Sequence, residues 1–89
     1  MRWRDAREFY RTRDGDFVGV LSPPARGSQR CYVITAVMEE DAFPIFIPAV
    51  MPYRRLRKQA QRVDARDVPE IIRIGIEHGW AQWHPLWEQ

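Results

Sequence analysis

Residues 30–51 read RCYVITAVMEEDAFPIFIPAVM, and this stretch decides the fold. Its two runs of β-branched and aromatic residues, 30–38 and 45–51, indicate β-strands. The acidic segment at 39–44 joins them directly, so we expect the two strands to pair antiparallel. Pro48 cannot donate a hydrogen bond to a strand ladder, which predicts an edge strand or a bulge in the second run.

A further strand is predicted just before this hairpin, in the run FVGVLS at 17–22. The segment PPARGSQ at 23–29 then forms a loop, because two prolines and a glycine interrupt any ladder. These connections are too short for parallel crossovers. The three strands are therefore expected to form an antiparallel meander.

The first predicted element covers residues 3–12, WRDAREFYRT, which contain neither glycine nor proline. Trp3, Ala6 and Tyr10 fall on one helical face, and the adjacent aromatics Phe9 and Tyr10 break the alternation typical of a strand. We therefore predict an N-terminal helix. The alternative is a hairpin in which REFYRT pairs with DFVGVLS across the Asp-Gly turn.

Helical spacing returns after the third strand. Apolar residues recur at steps of three, four and three, at Tyr53, Leu56, Ala60 and Val63. This spacing predicts a short amphipathic helix over residues 53–63. A fourth strand through LRKQAQRV, residues 56–63, is the alternative.

The last helix is predicted from its capping signals. The segment DVPE resembles a capping box, with Asp67 as the N-cap and Glu70 at the third position. Gly75 lies on the apolar face, where a missing side chain permits close approach to the sheet. Gly79 is predicted to end the helix in the left-handed conformation, with Trp80 folded back onto Ile74.

These elements predict one α+β domain over residues 1–89. Its sheet is a small antiparallel meander of three strands, or of four, with an N-terminal helix and one or two C-terminal helices. A chain of 89 residues has a thin core, so oligomerisation would add stability. The single Cys31 and the lack of a signal peptide or a long apolar run predict a cytoplasmic protein with no membrane partner.

The aromatic end of the chain predicts a partner-binding surface. Three of the four tryptophans fall in the last ten residues, and aromatic residues are enriched at binding hot spots. The proposed contact residues are Trp80, Trp83, Leu86 and Trp87. We expect a homodimer or another protein as the partner, and the alternative is that the tail covers the sheet of its own chain.

A basic segment gives the competing hypothesis of a nucleic-acid-binding protein. Thirteen of the fourteen basic residues are arginine, whose planar guanidinium suits phosphate, although a GC-rich genome would give the same bias. The candidate contact residues are Tyr53, Arg54, Arg55, Arg57, Lys58 and Arg62. The ring of Tyr53 is expected to provide a stacking platform for bases. The alternative is the solvated side of a core-packed helix, since the net charge is only +2.

Signatures of an enzyme are absent from the sequence, which has no glycine-rich phosphate loop, no HExxH and no paired-cysteine motif. Cys31 could act as a nucleophile only beside His78 or His84, and a buried structural cysteine is the favoured interpretation. The acidic run 39–41 lacks the alternate spacing of a calcium loop. We therefore predict no catalytic residues, no metal ligands and no cofactors.

The segment VDARDVPEIIRIGIEHGWAQW resembles the ending of many small bacterial proteins of unknown activity, some of which are carried on integrons and other mobile gene cassettes. The likeness covers the last quarter of the chain and depends on Val63, Val68, Ile72, Gly79 and Trp80. The usual Thr-Pro cap is replaced here by Ala-Arg-Asp at 65–67. The resemblance implies an α+β domain and assigns no functional residues.

Overall fold

The computed structural model describes residues 8–20, 24, 26, 29–40 and 43–87, with the backbone alone described over 79–87. The elements are β1 (Glu8–Thr12), β2 (Phe17–Val20), β3 (Arg30–Val37), β4 (Ile45–Pro52), α1 (Tyr53–Gln59), β5 (Ala60–Val63), a 3-10 turn (Ala65–Asp67) and α2 (Glu70–Trp87). The strands form one antiparallel sheet in the order β4-β3-β2-β1-β5. The first four strands form a meander, and β5 returns to pair with β1.

The predicted meander of three or four strands with an N-terminal helix is therefore wrong. Residues 8–12 form a strand that pairs with β2 through a tight turn, as in the hairpin alternative, and residues 3–7 lie outside the described part of the chain. The turn places Gly15 at a φ of 90°, a conformation that favours glycine. Phe9 and Tyr10 are both 3% exposed because a helix covers each face of the sheet. Adjacent aromatic residues can therefore both be buried in one strand.

Residues 53–63 divide between the two alternatives that the sequence left open. Helix α1 ends at Gln59, and the backbone N–H of Ala60 donates to the carbonyl of Leu56 as the strand begins. Val63 then pairs with Phe9 and packs beneath α2. The apolar spacing continues past the helix because Val63 belongs to a strand with its own core contact.

Helix α1 connects the two edges of the sheet. Its seven residues span about 10 Å, whereas the outer strands of a flat five-stranded sheet lie about 19 Å apart. The sheet must therefore curl around α1. Tyr53 and Leu56 are buried against one face, which we call the α1 face, together with Tyr10, Val18, Val20, Cys31 and Val33.

Helix α2 covers the opposite face of the sheet, which we call the α2 face. Its core joins Phe9, Phe17, Ile34, Ala36, Val68, Ile72 and Ile76. A side chain at Gly75 would overlap the ring of Phe46, and one at Gly19 would overlap Ile76. The predicted close approach at Gly75 is confirmed, because the ring of Phe46 on β4 occupies the space that a Cβ atom at this position of the helix would need.

The predicted ends of the last helix are wrong. Helix α2 begins at Glu70, three residues after Asp67, because a 3-10 turn comes first and Asp64 caps that turn by accepting the N–H of Arg66 at 2.9 Å. The helix does not end at Gly79 and continues to Trp87. A glycine lowers helix propensity by only about 1 kcal/mol, so it does not by itself end a helix.

Strand β4 is an edge strand, as Pro48 predicted. The N–H of Tyr53 donates to the carbonyl of Gln29 at 2.9 Å and continues the β3–β4 ladder. Along an antiparallel strand, backbone groups that bond to the neighbouring strand alternate with backbone groups that face away from it. The backbone nitrogens of the even-numbered residues of β4 therefore face away from β3. Pro48 and Pro52 occupy two of these outward positions, where neither removes a ladder hydrogen bond and both protect the edge against another strand.

Candidate nucleic-acid interface

Helix α1 carries a dense group of cations on its outer side. The exposed side chains are Arg54, Arg55, Arg57 and Lys58, and we call them the basic face. The buried residues Tyr53 and Leu56 lie three positions apart on the inner side, so they hold the helix against the sheet and direct the cations to solvent. Within the described part of the chain, no ion pair neutralises these four side chains.

Tyr53 does not belong to the exposed surface, although the sequence placed it among the contact residues. It is 8% exposed, and its ring packs beneath α1 against the sheet. The guanidinium of Arg57 lies 5.5 Å from the centre of this ring. Tyr53 therefore orients the helix and supports Arg57 through a cation–π contact, and its ring is not available for stacking on a base.

Arg62 lies on β5 and is held by a carboxylate. Its guanidinium is 3.5 Å from Glu8, and the two side chains are 62% and 12% exposed, respectively. The charge of Arg62 is partly offset by this partner, in contrast with the four cations of the basic face. Arg62 consequently extends the basic surface less than its formal charge suggests.

Glu8, Tyr10 and Tyr53 form a partly buried polar network between β1 and α1. Both tyrosine hydroxyls donate to Oε1 of Glu8, at 2.5 Å from Tyr10 and 2.6 Å from Tyr53, and the two hydroxyls are 3.2 Å apart. Burial and the hydrogen bond to Glu8 raise the pKa of Tyr10 far above its usual value, and they raise the pKa of Tyr53 as well. Both hydroxyls therefore stay protonated and remain donors that anchor α1 to β1.

A groove continues the basic surface beyond the C-terminal end of α1. It has a volume of about 300 Å³. Its lining residues are Arg11, Thr12, Arg13, Lys58, Gln59, Ala60 and Gln61. The guanidinium of Arg11 lies 5.6 Å from the centre of the Phe17 ring, which restricts its orientation. Among the residues that the structure describes, three cations, two amides and no carboxylate thus line the groove.

The sequence did not identify Arg11 and Arg13 as candidates. Arg11 reaches Lys58 only because β1 pairs with β5, an association of residues about fifty positions apart. The prediction of a helix over 3–12 removed that pairing. A signal was present in the hairpin alternative, which places Arg11 on a strand and Arg13 in its turn.

Carboxylates limit the basic surface at the β1–β2 turn. Asp14 and Asp16 line the adjacent part of the surface together with Arg13 and with Lys58 of the basic face. Oδ1 of Asp16 accepts the backbone N–H of Met38 at 3.0 Å, which connects this turn to the exposed Glu39 and Glu40. The positive potential is therefore concentrated on α1 and in the groove, and it ends where these acidic residues begin.

Cys31 occupies a structural position. It is 2% exposed, and its thiol lies 3.5 Å from the carbonyl of Met51. Burial and the nearby charge of Glu8 raise the pKa of this thiol, which disfavours the reactive thiolate. His84 lies in the part of α2 whose side chains are not described, and the described residues hold no group of three potential metal ligands.

The residues that the sequence predicts as a partner surface lie on α2, in the part of the helix where only the backbone is described. The side chains of Trp80, Trp83, Leu86 and Trp87 lie outside the described part of the structure. Earlier on the same helix, Ile71 and Ile74 are 50% and 55% exposed. Helix α2 therefore presents apolar side chains to solvent as well as to the sheet.

None of the described helices is long and apolar enough to cross a membrane. Comparison with known proteins adds no assignment, because no protein-family model, no curated protein and no solved structure matches this chain.

Proposed function

We propose that this protein binds nucleic acid, with the phosphate backbone held by the basic face of α1. The observation that carries the proposal is the presence of four exposed cations on two turns of one anchored helix, none of which forms an ion pair with an acidic residue in the described part of the chain. Over the roughly 10 Å that α1 spans, one strand of B-form DNA presents about three phosphates. The basic face therefore has enough charge to contact every phosphate along its length.

The small net charge does not oppose this proposal, because no acidic residue in the described part of the chain forms an ion pair with the basic face. Asp14, Asp16, Glu39 and Glu40 lie at one end of the sheet, and Asp64 and Asp67 lie around the 3-10 turn. Glu8 is partly buried and is engaged by Arg62 and two tyrosines. Local charge, which decides phosphate binding, thus differs from the net value of +2.

The proposal is tested by fluorescence anisotropy with labelled DNA and RNA oligonucleotides at low salt. The test variant combines Arg54→Gln, Arg55→Gln, Arg57→Gln and Lys58→Gln. The control variant combines Arg66→Gln with Arg73→Gln, which removes charge near and on α2. We expect the wild type and the control to bind, and the test variant to lose most of its affinity. Absence of wild-type binding to any oligonucleotide would refute the proposal.

A second candidate is binding to a protein partner, or self-association as a homodimer, through α2. The exposure of Ile71 and Ile74 supports it, since neighbouring apolar side chains in water favour association. Trp80, Trp83, Leu86 and Trp87, the partner-binding residues that the sequence predicts, follow on the same helix. Such an accessory role is independent of the basic face, so both functions can belong to one chain.

Light scattering over a range of concentrations tests the second candidate. We expect a dimer whose dissociation constant rises when Ile71→Gln and Ile74→Gln are combined, and rises further with Trp83→Ala and Trp87→Ala. A wild type that stays monomeric at high concentration would remove self-association from consideration. Both candidates suit a cytoplasmic protein, in which the buried thiol of Cys31 stays reduced.

A further inference from the structure

The groove beside α1 connects the two faces of the sheet. Lys58 and Gln59 reach it from α1, on the α1 face. Arg11 pairs with Gln61, and its guanidinium lies over Phe17, a residue of the α2-face core. The cationic surface therefore runs along α1, passes the short edge strand β5, and continues onto the other face of the sheet.

We infer that the ligand of this surface is a single strand of nucleic acid, which follows the basic face and then bends around β5 into the groove. The inference rests on the proposed function and specifies its substrate class. A single strand can change direction at each nucleotide, whereas duplex DNA has a persistence length of about 150 base pairs. A duplex would contact the basic face and miss Arg11 and Arg13.

The size of the groove agrees with a single strand. Its volume of about 300 Å³ is at the lower end of the range for small-ligand sites, which run from about 300 to 1,000 Å³. Such a space suits one backbone unit and excludes the width of a duplex. Arg13 and Lys58 supply charge for a phosphate, and the amides of Gln59 and Gln61 can donate to or accept from a base edge.

The chemistry of the lining also sets the direction of the bound strand. Asp14 and Asp16 border the groove on the side of the β1–β2 turn, so a phosphate is repelled there. The strand would therefore leave the groove towards Gln61 on the α2 face. Arg11 is already oriented by its contact with Phe17, which lowers the entropy that is lost when it engages a phosphate.

The test compares single-stranded DNA and RNA with duplexes of the same sequence and length. Affinities are measured for the wild type, for Arg11→Gln combined with Arg13→Gln, and for the control Arg66→Gln. Arg66 is an exposed arginine whose partner is Asp64, so its replacement removes one charge away from the groove. Circular dichroism of each variant checks that the fold is retained.

We expect the wild type to bind single strands at least about tenfold more tightly than duplexes. The Arg11 and Arg13 double variant should remove most of this preference, and its salt dependence on single strands should fall by about 1.4 in logarithmic slope, or about 0.7 for each lost phosphate contact. Its affinity for duplexes should be unchanged, and the Arg66 control should match the wild type.

The outcomes separate this inference from the proposed function. Equal binding of single strands and duplexes, with the groove variant indistinguishable from the wild type, would overturn the inference while nucleic-acid binding stands. A wild type that binds neither kind of oligonucleotide at low salt would overturn the proposed function itself.

Discussion

The hydroxyl of Tyr53 donates a 2.6 Å hydrogen bond to Oε1 of Glu8, which joins the first residue of α1 to the first residue of β1. A helix of seven residues is too short to be stable in water by itself, so its position depends on such contacts. The partly buried carboxylate thus helps to hold the basic face at a fixed place on the sheet.

Replacement of Glu8 by Gln should destabilise the fold by about 1–3 kcal/mol, because two buried hydroxyls lose a charged acceptor. Urea denaturation measures the change in the free energy of unfolding. A double-mutant cycle with Tyr53→Phe should give a coupling energy above about 0.5 kcal/mol. Purely additive effects would show that the hydrogen bond contributes nothing to stability.

Stability at alkaline pH should depend on Tyr10. Burial raises the pKa of Tyr10 above its ordinary value of 10.0, so the folded state holds this proton more tightly than the unfolded state. This contribution is fully present below about pH 10 and is lost as the pH rises towards the folded pKa, at up to about 1.4 kcal/mol per pH unit.

The matched variant for this pH dependence is Tyr10→Phe, which removes the titrating hydroxyl and keeps the ring. The free energy of unfolding is measured by urea denaturation at several values between about pH 9 and 11. The wild type should lose stability more steeply than the variant over this range. Identical pH profiles would contradict the assignment of the effect to Tyr10.

The fold could be predicted from sequence where one local pattern decided the structure. The β3–β4 hairpin and the edge position of Pro48 follow from β-branched runs around a short turn. The adjacent aromatic residues Phe9 and Tyr10 favoured the wrong prediction of an N-terminal helix. Strand alternation assumes one solvated face, whereas this sheet is covered by a helix on each face. Pairing of β1 with β5 is non-local, so no nearby residue signals it.

Gly75→Ala should destabilise the protein although alanine favours a helix by about 1 kcal/mol. The added Cβ would overlap the ring of Phe46, and displacement of a packed ring costs about 1–3 kcal/mol. Thermal and urea unfolding measure the net change. In the background of Phe46→Leu, the same glycine substitution should become neutral or stabilising, and a penalty that persists there would point to another cause.

Pro48→Val should increase self-association without weakening the β3–β4 ladder. The substitution restores an outward N–H at the edge of the sheet, and exposed edges recruit further strands. The free energy of unfolding at low concentration should change by less than about 1 kcal/mol. Light scattering at high concentration should detect larger species for this variant, and none beyond the wild type for the control Ala49→Val on the same strand.

The basic face could be predicted because its cations alternate with Tyr53 and Leu56 at helical spacing. The contribution of Arg11 and Arg13 could not, since it depends on where the curled sheet brings β1 against the end of α1. The burial of Tyr53 could not be predicted from the sequence either, because an aromatic residue within a basic segment is compatible with a core position and with a surface position.

The most direct measurement of the central claim is the salt dependence of binding to a single-stranded oligonucleotide. Each phosphate contact contributes about 0.7 to the slope of log K against log salt concentration. With about three phosphates along α1, the variant with Gln at positions 54, 55, 57 and 58 should therefore have a slope smaller than the wild-type slope by up to about 2.1. Equal slopes for the two proteins would show that the basic face does not contact the phosphates.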